Sequence, residues 1–118
     1  MERLTHKEEE IMQALWKLEK AFVKELLALL PGKQHYNTIS TMVRNLEEKG
    51  YVSHQAFGKT HQYFPLVTKE SYTKKFMNAA TQRFFDNSYK SMVSFFAKEE
   101  KISAEELREI LNLIEKKE

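Results

Sequence analysis

The chain contains no cysteine. That removes disulfide frameworks, cysteine-ligated zinc and thiol catalysis, and it fits a reducing cytoplasm. Proline and glycine are scarce, with two and three residues respectively. The chain therefore has few forced breaks, and those it has carry positional meaning. No apolar run approaches the roughly 20 residues needed to cross a bilayer, and the N-terminal stretch lacks the apolar centre of a signal peptide. A cytoplasmic protein with no membrane insertion is expected. HExxH, GxSxG and P-loop patterns are also missing, so no catalytic residue, no cofactor and no enzymatic activity is expected. Internal repeats and low-complexity segments are absent too.

What remains is a chain of 118 residues, 42% hydrophobic and 31% charged. These values fit an ordered protein with one cored domain, or a small domain plus an oligomerisation arm. The net charge is only +2, but it is unevenly spread. Residues 67–98 carry Lys69, Lys74, Lys75, Arg83, Lys90 and Lys98 against Glu70 and Asp86 alone. Residues 33–66 are also basic, with Lys33, Arg44, Lys49 and Lys59 against Glu47 and Glu48. The last stretch, 99–118, is acidic. A basic middle permits a phosphate-binding surface without requiring one.

The order of elements is more informative. Thr5-His6-Lys7-Glu8 has the capping-box form, followed by Ile11, Met12, Leu15 and Trp16 at helical spacing. This predicts a helix over about 5–19, with Trp16 as a core anchor and the run Glu8-Glu9-Glu10 as a complement to the helix dipole on a solvated face. Phe22 to Leu30 repeats the helical pattern until Pro31-Gly32 stops it. A third helix is predicted over Tyr36–Lys49, ended by Gly50 in the left-handed conformation. The period then changes to two. Residues 51–57 and 61–66 read as strands around the tight connection Gly58-Lys59-Thr60, with Pro65 at an edge or an end. Helix, short helix, helix and hairpin, in that order, is the signature of a winged helix-turn-helix domain.

The third helix has an unusual face. At about 100° per residue, Ile39, Met42, Val43 and Leu46 fall on one side. Asn37, Thr38, Ser40, Thr41, Arg44 and Asn45 occupy the rest of its first three turns, with acids only at the end. Short hydrogen-bonding side chains with one Arg suit a helix laid in a DNA major groove, where a carboxylate would be repelled. Lys59, Thr60 and His61 on the wing complete the expected DNA-binding set. The competing readings are a polar helix that only covers a core, and a winged-helix protein-interaction module without specific DNA binding.

Beyond Thr68 the pattern is helical throughout, interrupted near Asp86-Asn87-Ser88. A second capping box, Ser103-Ala104-Glu105-Glu106, opens a last helix. Phe76, Phe84, Met92, Val93, Phe96, Leu107, Ile110, Leu111 and Ile114 give this segment more apolar surface than an appended arm can bury alone. A symmetric homodimer would cover it. The alternative is an arm folded back on its own wing. The expected architecture is thus mainly α with a small β-hairpin: a winged-helix DNA-binding domain at 1–66 and a helical homodimerisation arm at 67–118.

Several short stretches, in order, resemble the BlaI/MecI/CopY family of bacterial transcriptional repressors over nearly the full length. They are Leu4-Thr5, Glu8 to Glu10 and Leu15-Trp16, then Thr38-Ile39-Ser40-Thr41-Met42 and Leu46-Glu47-Glu48-Lys49-Gly50. Gly58-Lys59 and Tyr63-Phe64-Pro65 follow on the wing, and Met92-Val93-Ser94-Phe95-Phe96 and Ile102-Ser103-Ala104-Glu105-Glu106 near the end. The resemblance implies a homodimer on a palindromic operator of double-stranded DNA. It places Thr38 and Thr41 near bases and Lys59 near the backbone, and makes the last two helices the dimer contact. It also implies a membrane sensor-protease as a partner. The chain departs from the pattern in three places. The family's usual Arg before the helix Leu is Asn45 here, with Arg44 one residue earlier. The family's Asn-Phe cleavage position is Phe95-Phe96. The C-terminal cysteine cluster of the copper-sensing relatives is missing. Neither known route of induction is supported.

The four histidines, His6, His35, His54 and His61, are scattered along the chain. His54 and His61 can approach across the hairpin, but two ligands without a nearby carboxylate make a poor metal site, and none is expected. His35 and His61 are better placed as neighbours of phosphates.

Overall fold

A computed structural model describes residues 3–116; the outermost residues of the two expected domains, 1–2 and 117–118, lie outside the described residues. The chain forms two compact units, one running to Thr73 and the other beginning at Lys74.

The first unit opens with α1 (His6–Leu18). Its start is the predicted capping box: Thr5 Oγ1 accepts from the Glu8 amide at 3.2 Å, and the Thr5 amide donates to Glu8 Oε1 at 2.9 Å. After it, the structure differs from the sequence pattern. Ala21 and Phe22 are not helical but form a short strand, β1, and α2 covers Val23–Leu29. The Glu25 carboxylate explains the boundary, because Oε1 accepts from the Phe22 amide at 2.9 Å and caps the helix there. Helix α3 spans Tyr36–Glu48. Gly50, at φ 85°, ends it: the Tyr51 amide donates to Leu46 O and the Gly50 amide to Glu47 O, both at 3.0 Å. This is the Schellman pattern, with Tyr51 and Leu46 buried beside each other as its usual apolar contact.

Strands β2 (Val52–Phe57) and β3 (Thr60–Pro65) form the predicted hairpin. The turn is tighter than expected: Phe57 pairs with Thr60, leaving Gly58 and Lys59 as the two loop residues. Gly58 has φ 62° and Lys59 has none of the positive values, which is a type II′ turn with glycine at its first central position. Strand β1 adds to the free edge of β3, Ala21 facing Tyr63 and Phe22 facing Gln62, so the sheet order is β1-β3-β2.

All buried apolar side chains of the described residues lie in this unit. Ile11, Met12 and Leu15 of α1, Val23 and Leu26 of α2, and Ile39, Val43 and Leu46 of α3 meet Ala21, Tyr51, Val52 and Tyr63. Trp16 is half-buried against this core, and its Nε1 donates to Val67 O at 2.8 Å. Two members of the acid run are not simply solvated, which corrects the sequence reading. Glu8 is 5% exposed and accepts from Lys49 Nζ at 2.8 and 3.1 Å. Glu9 accepts from the Tyr72 hydroxyl at 2.5 Å. Both partners are remote in sequence, so no local pattern announces them.

Helix α4 (Lys69–Phe85) continues from the first unit into the second. It ends where the sequence predicts, with Asp86 and Asn87 at φ 49° and 63°. Helix α5 (Tyr89–Lys98) follows, capped by Ser88, and then α6 (Ala104–Glu115), with the capping box of Ser103 and Glu106. Three helices, a β1-β3-β2 sheet and a helical extension make up a winged helix-turn-helix chain.

Candidate nucleic-acid interface

Helix α3 is held by its apolar stripe. Ile39, Val43 and Leu46 are buried, and this fixes which side of the helix faces outward. Asn37, Thr38, Thr41, Arg44 and Asn45 are all exposed on that outer side. Ser40, expected with them, is half-buried on the flank. The two acids of the last turn divide. Glu48 remains exposed at the end of the helix, while Glu47 turns to the wing and accepts from His54 Nδ1 at 2.8 and 2.9 Å. The first three turns therefore present no carboxylate.

The start of α3 is also distinctive. His35 stands at its N-cap without a side-chain hydrogen bond, and no acid lies in the first turn. By contrast α1, α5 and α6 each have a Ser or Thr cap, and Glu25 serves α2. The first amides of α3 and the positive end of its dipole are thus left to an outside acceptor.

Within the outer face, Thr41 Oγ1 donates to Asn37 O at 3.0 Å and accepts from Arg44 Nη2 at 3.3 Å. Among the described residues Arg44 has no carboxylate partner.

The wing places Lys59 at the turn, exposed, with Thr60 beside it. The Thr60 hydroxyl is committed to closing the turn, donating to Phe57 O at 2.9 Å. His61 is exposed and lies flat against His54, ring centroids 4.0 Å apart and planes 9° apart. His54 and His61 do approach, as the hairpin register suggests, but a carboxylate is present after all, that of Glu47. The three do not converge on a point: among the described residues no group of His, Asp or Glu is arranged to hold a metal ion. Their geometry ties the wing to the end of α3. Sequence reasoning missed Glu47 and His54 in this role, because the only signal is the register of β2 on the helix. Tyr63, buried beneath them, is held protonated above the usual phenol range by burial and by the Glu47 charge.

The second unit contrasts with the first. Its one buried side chain among the described residues is Thr81, 1% exposed, whose hydroxyl donates to Met77 O at 2.7 Å and lies 3.6 Å from the Met92 sulfur. Of the expected dimer residues, Phe76, Phe84, Val93, Phe96, Ile110, Leu111 and Ile114 are exposed. Met92 and Leu107 are half-buried. Tyr89, Phe95 and Leu113, which are not in the expected dimer set, are exposed as well, Leu113 at 71%. Among the described residues no helix is long and apolar enough to cross a membrane.

The profile of the penicillinase repressor family matches residues 4–116. The penicillinase repressor of Bacillus licheniformis is 26% identical over 115 residues, covering 96% of this chain and 90% of that protein. The methicillin resistance regulatory protein MecI of Mammaliicoccus sciuri is 24% identical over 110 residues, covering 92% and 89%; MecI of Staphylococcus aureus strain N315 has the same values. With the family profile running through the wing, α3 and all three C-terminal helices, the chain belongs to the penicillinase repressor family.

Proposed function

We propose that this chain is a transcriptional repressor, not an enzyme, that binds a palindromic operator in double-stranded DNA as a homodimer. Helix α3 enters the major groove and the β2–β3 wing meets the adjacent backbone. The observation that carries this reading is the outer face of α3: five short polar or basic side chains, no carboxylate in three turns, and an uncapped N-terminus. Amides at a helix start, an Arg and a wing Lys are donors for phosphates and base edges. The second unit supports the homodimer, since the apolar residues of its three helices remain exposed in the single chain. A role at DNA places the protein in the cytoplasm. Cleavage by a membrane sensor-protease is not part of the proposal: Phe95 and Phe96 lie inside α5, with rings packed edge to face 5.3 Å apart.

The test is a gel shift with the chain's own upstream region and a random duplex, over a salt series. A repressor binds the upstream region in preference to random DNA, with affinity falling steeply as salt rises. Weak, salt-insensitive binding to both would instead favour a winged-helix module for protein contacts. Sedimentation of the free protein reads the dimer directly.

A further inference from the structure

Thr41 and Arg44 stand on successive turns of the exposed face of α3, and they are not independent. The Thr41 hydroxyl hydrogen is committed to the backbone, donated to Asn37 O at 3.0 Å. What the oxygen offers outward is a lone pair, and Arg44 Nη2 occupies it at 3.3 Å. A hydroxyl in this state cannot donate to an acceptor on a base edge. Arg44 is in the opposite condition. Its guanidinium carries five N–H donors in a fixed plane. The bond to Thr41 uses one of them, and no carboxylate of the described residues competes for the rest.

We propose that Arg44 is the principal base-reading residue of this interface and that Thr41 is a positioning residue, acting through Arg44. The inference rests on the reading of α3 as the recognition helix. The base edge that suits a guanidinium fork is that of guanine, whose O6 and N7 are paired acceptors in the major groove. An unrestrained Arg side chain populates many rotamers and loses them when it is fixed. A hydroxyl partner one turn earlier narrows that set before DNA arrives, and so favours one guanine position over its neighbours. Asn37 serves in turn by its carbonyl, which sets the rotamer of Thr41.

The experiment uses the full chain and begins with enrichment of a random duplex pool by the wild-type protein. The enriched site is expected to hold guanine at one fixed position in each half. Arg44→Ala should lose discrimination at that base pair by about tenfold and leave the others unchanged. Thr41→Val keeps the shape and removes the hydroxyl; it should lose several-fold at the same base pair. Thr41→Ser, which restores the hydroxyl, should restore discrimination. In an Arg44→Ala background, Thr41→Val should have no further effect. The inference is overturned if Thr41→Val behaves as wild type, if it relaxes a different base pair, or if its loss persists without Arg44. A wild-type protein that enriches no sequence would overturn the recognition-helix reading itself, a result distinct from all of these.

Discussion

Glu8 is the residue where local and long-range forces meet. It caps α1 through Thr5 and closes an ion pair with Lys49 from the end of α3, at 2.8 Å. Burial pushes its carboxyl up, but the Lys49 ammonium, the Thr5 amide and the Thr5 hydroxyl together hold it below the usual carboxylate range. The sign of the linkage follows. A depressed pKa in the folded state contributes stability above the pKa of the unfolded chain, and that contribution is lost as pH falls through the folded value. Glu8→Gln should therefore flatten the decline of stability below about pH 5, as read by urea unfolding at a series of pH values. An unchanged acid slope would show that Lys49 does not hold the charge. Lys49→Met keeps the aliphatic stem but strands the buried carboxylate, and should cost about 2–4 kcal/mol, between the values for surface and fully buried pairs. Tyr72 gives the opposite case. Burial and the Glu9 carboxylate raise its phenol above the ordinary value. Its contribution is present below about pH 10 and lost as pH rises beyond it. In an alkaline titration followed by ultraviolet absorbance, Tyr72 and the buried Tyr63 should both ionise late, and Tyr72→Phe should shrink that late step by one tyrosine.

At the level of elements, backbone conformation decides two turns in opposite directions. Gly58 opens the wing turn at φ 62°, where a β-branched side chain is strained, although a Cβ there would meet nothing within 4 Å. Gly58→Val should cost about 1–2 kcal/mol and lower hydrogen-exchange protection in β2 and β3, leaving α1 and α2 unchanged. Glu100 ends α5 in the same Schellman pattern as Gly50 ends α3, at φ 59° but with a side chain. Glu100→Gly should relieve about 1 kcal/mol, seen as a higher melting temperature; no gain would mean that the α5–α6 turn contributes nothing to the measured transition. The glycine positions show what the sequence could announce. Gly50 and Gly58 mark a helix end and a hairpin because glycine tolerates positive φ, and the capping boxes at Thr5 and Ser103 are local. Strand β1 has only two residues, too few to display a period of two, and it borrows its identity from the edge of β3. The outer face of α3 was legible because the apolar stripe of Ile39, Val43 and Leu46 is strictly periodic. The Glu47–His54 and Glu8–Lys49 pairs were not, since each partner alone is an ordinary charged residue.

For the whole molecule, the division of buried surface is the governing fact. The apolar core lies between Leu4 and Tyr63, but the unit it supports runs to Thr73. Two bonds explain the difference: Trp16 Nε1 to Val67 O, and the Tyr72 hydroxyl to Glu9, with the Tyr72 ring 5.8 Å from Trp16 and 6.0 Å from Tyr51. The domain limit drawn from strand signals alone, at residue 66, omits both. A fragment of residues 1–73 should therefore unfold cooperatively as a monomer. A fragment of residues 1–66 should be weaker by about 3–5 kcal/mol, from two lost hydrogen bonds of about 1 kcal/mol each and the lost burial of the Tyr72 ring. Equal stability of the two would mean that the first turn of α4 adds nothing to this unit. Residues 74–118 pose the complementary case. With Thr81 as the one buried side chain among those described, they lack the core of an independent monomer. In the full chain they should order by association, so that sedimentation equilibrium finds a dimer and thermal unfolding shifts upward with protein concentration. Leu113→Glu and Leu111→Lys, placed on the exposed apolar surface of α6, should each break the dimer and abolish that concentration dependence. They should leave the circular dichroism of the first unit intact and reduce affinity for a two-fold operator far more than for a half-site, because the coupling of two α3 helices is lost while each interface remains.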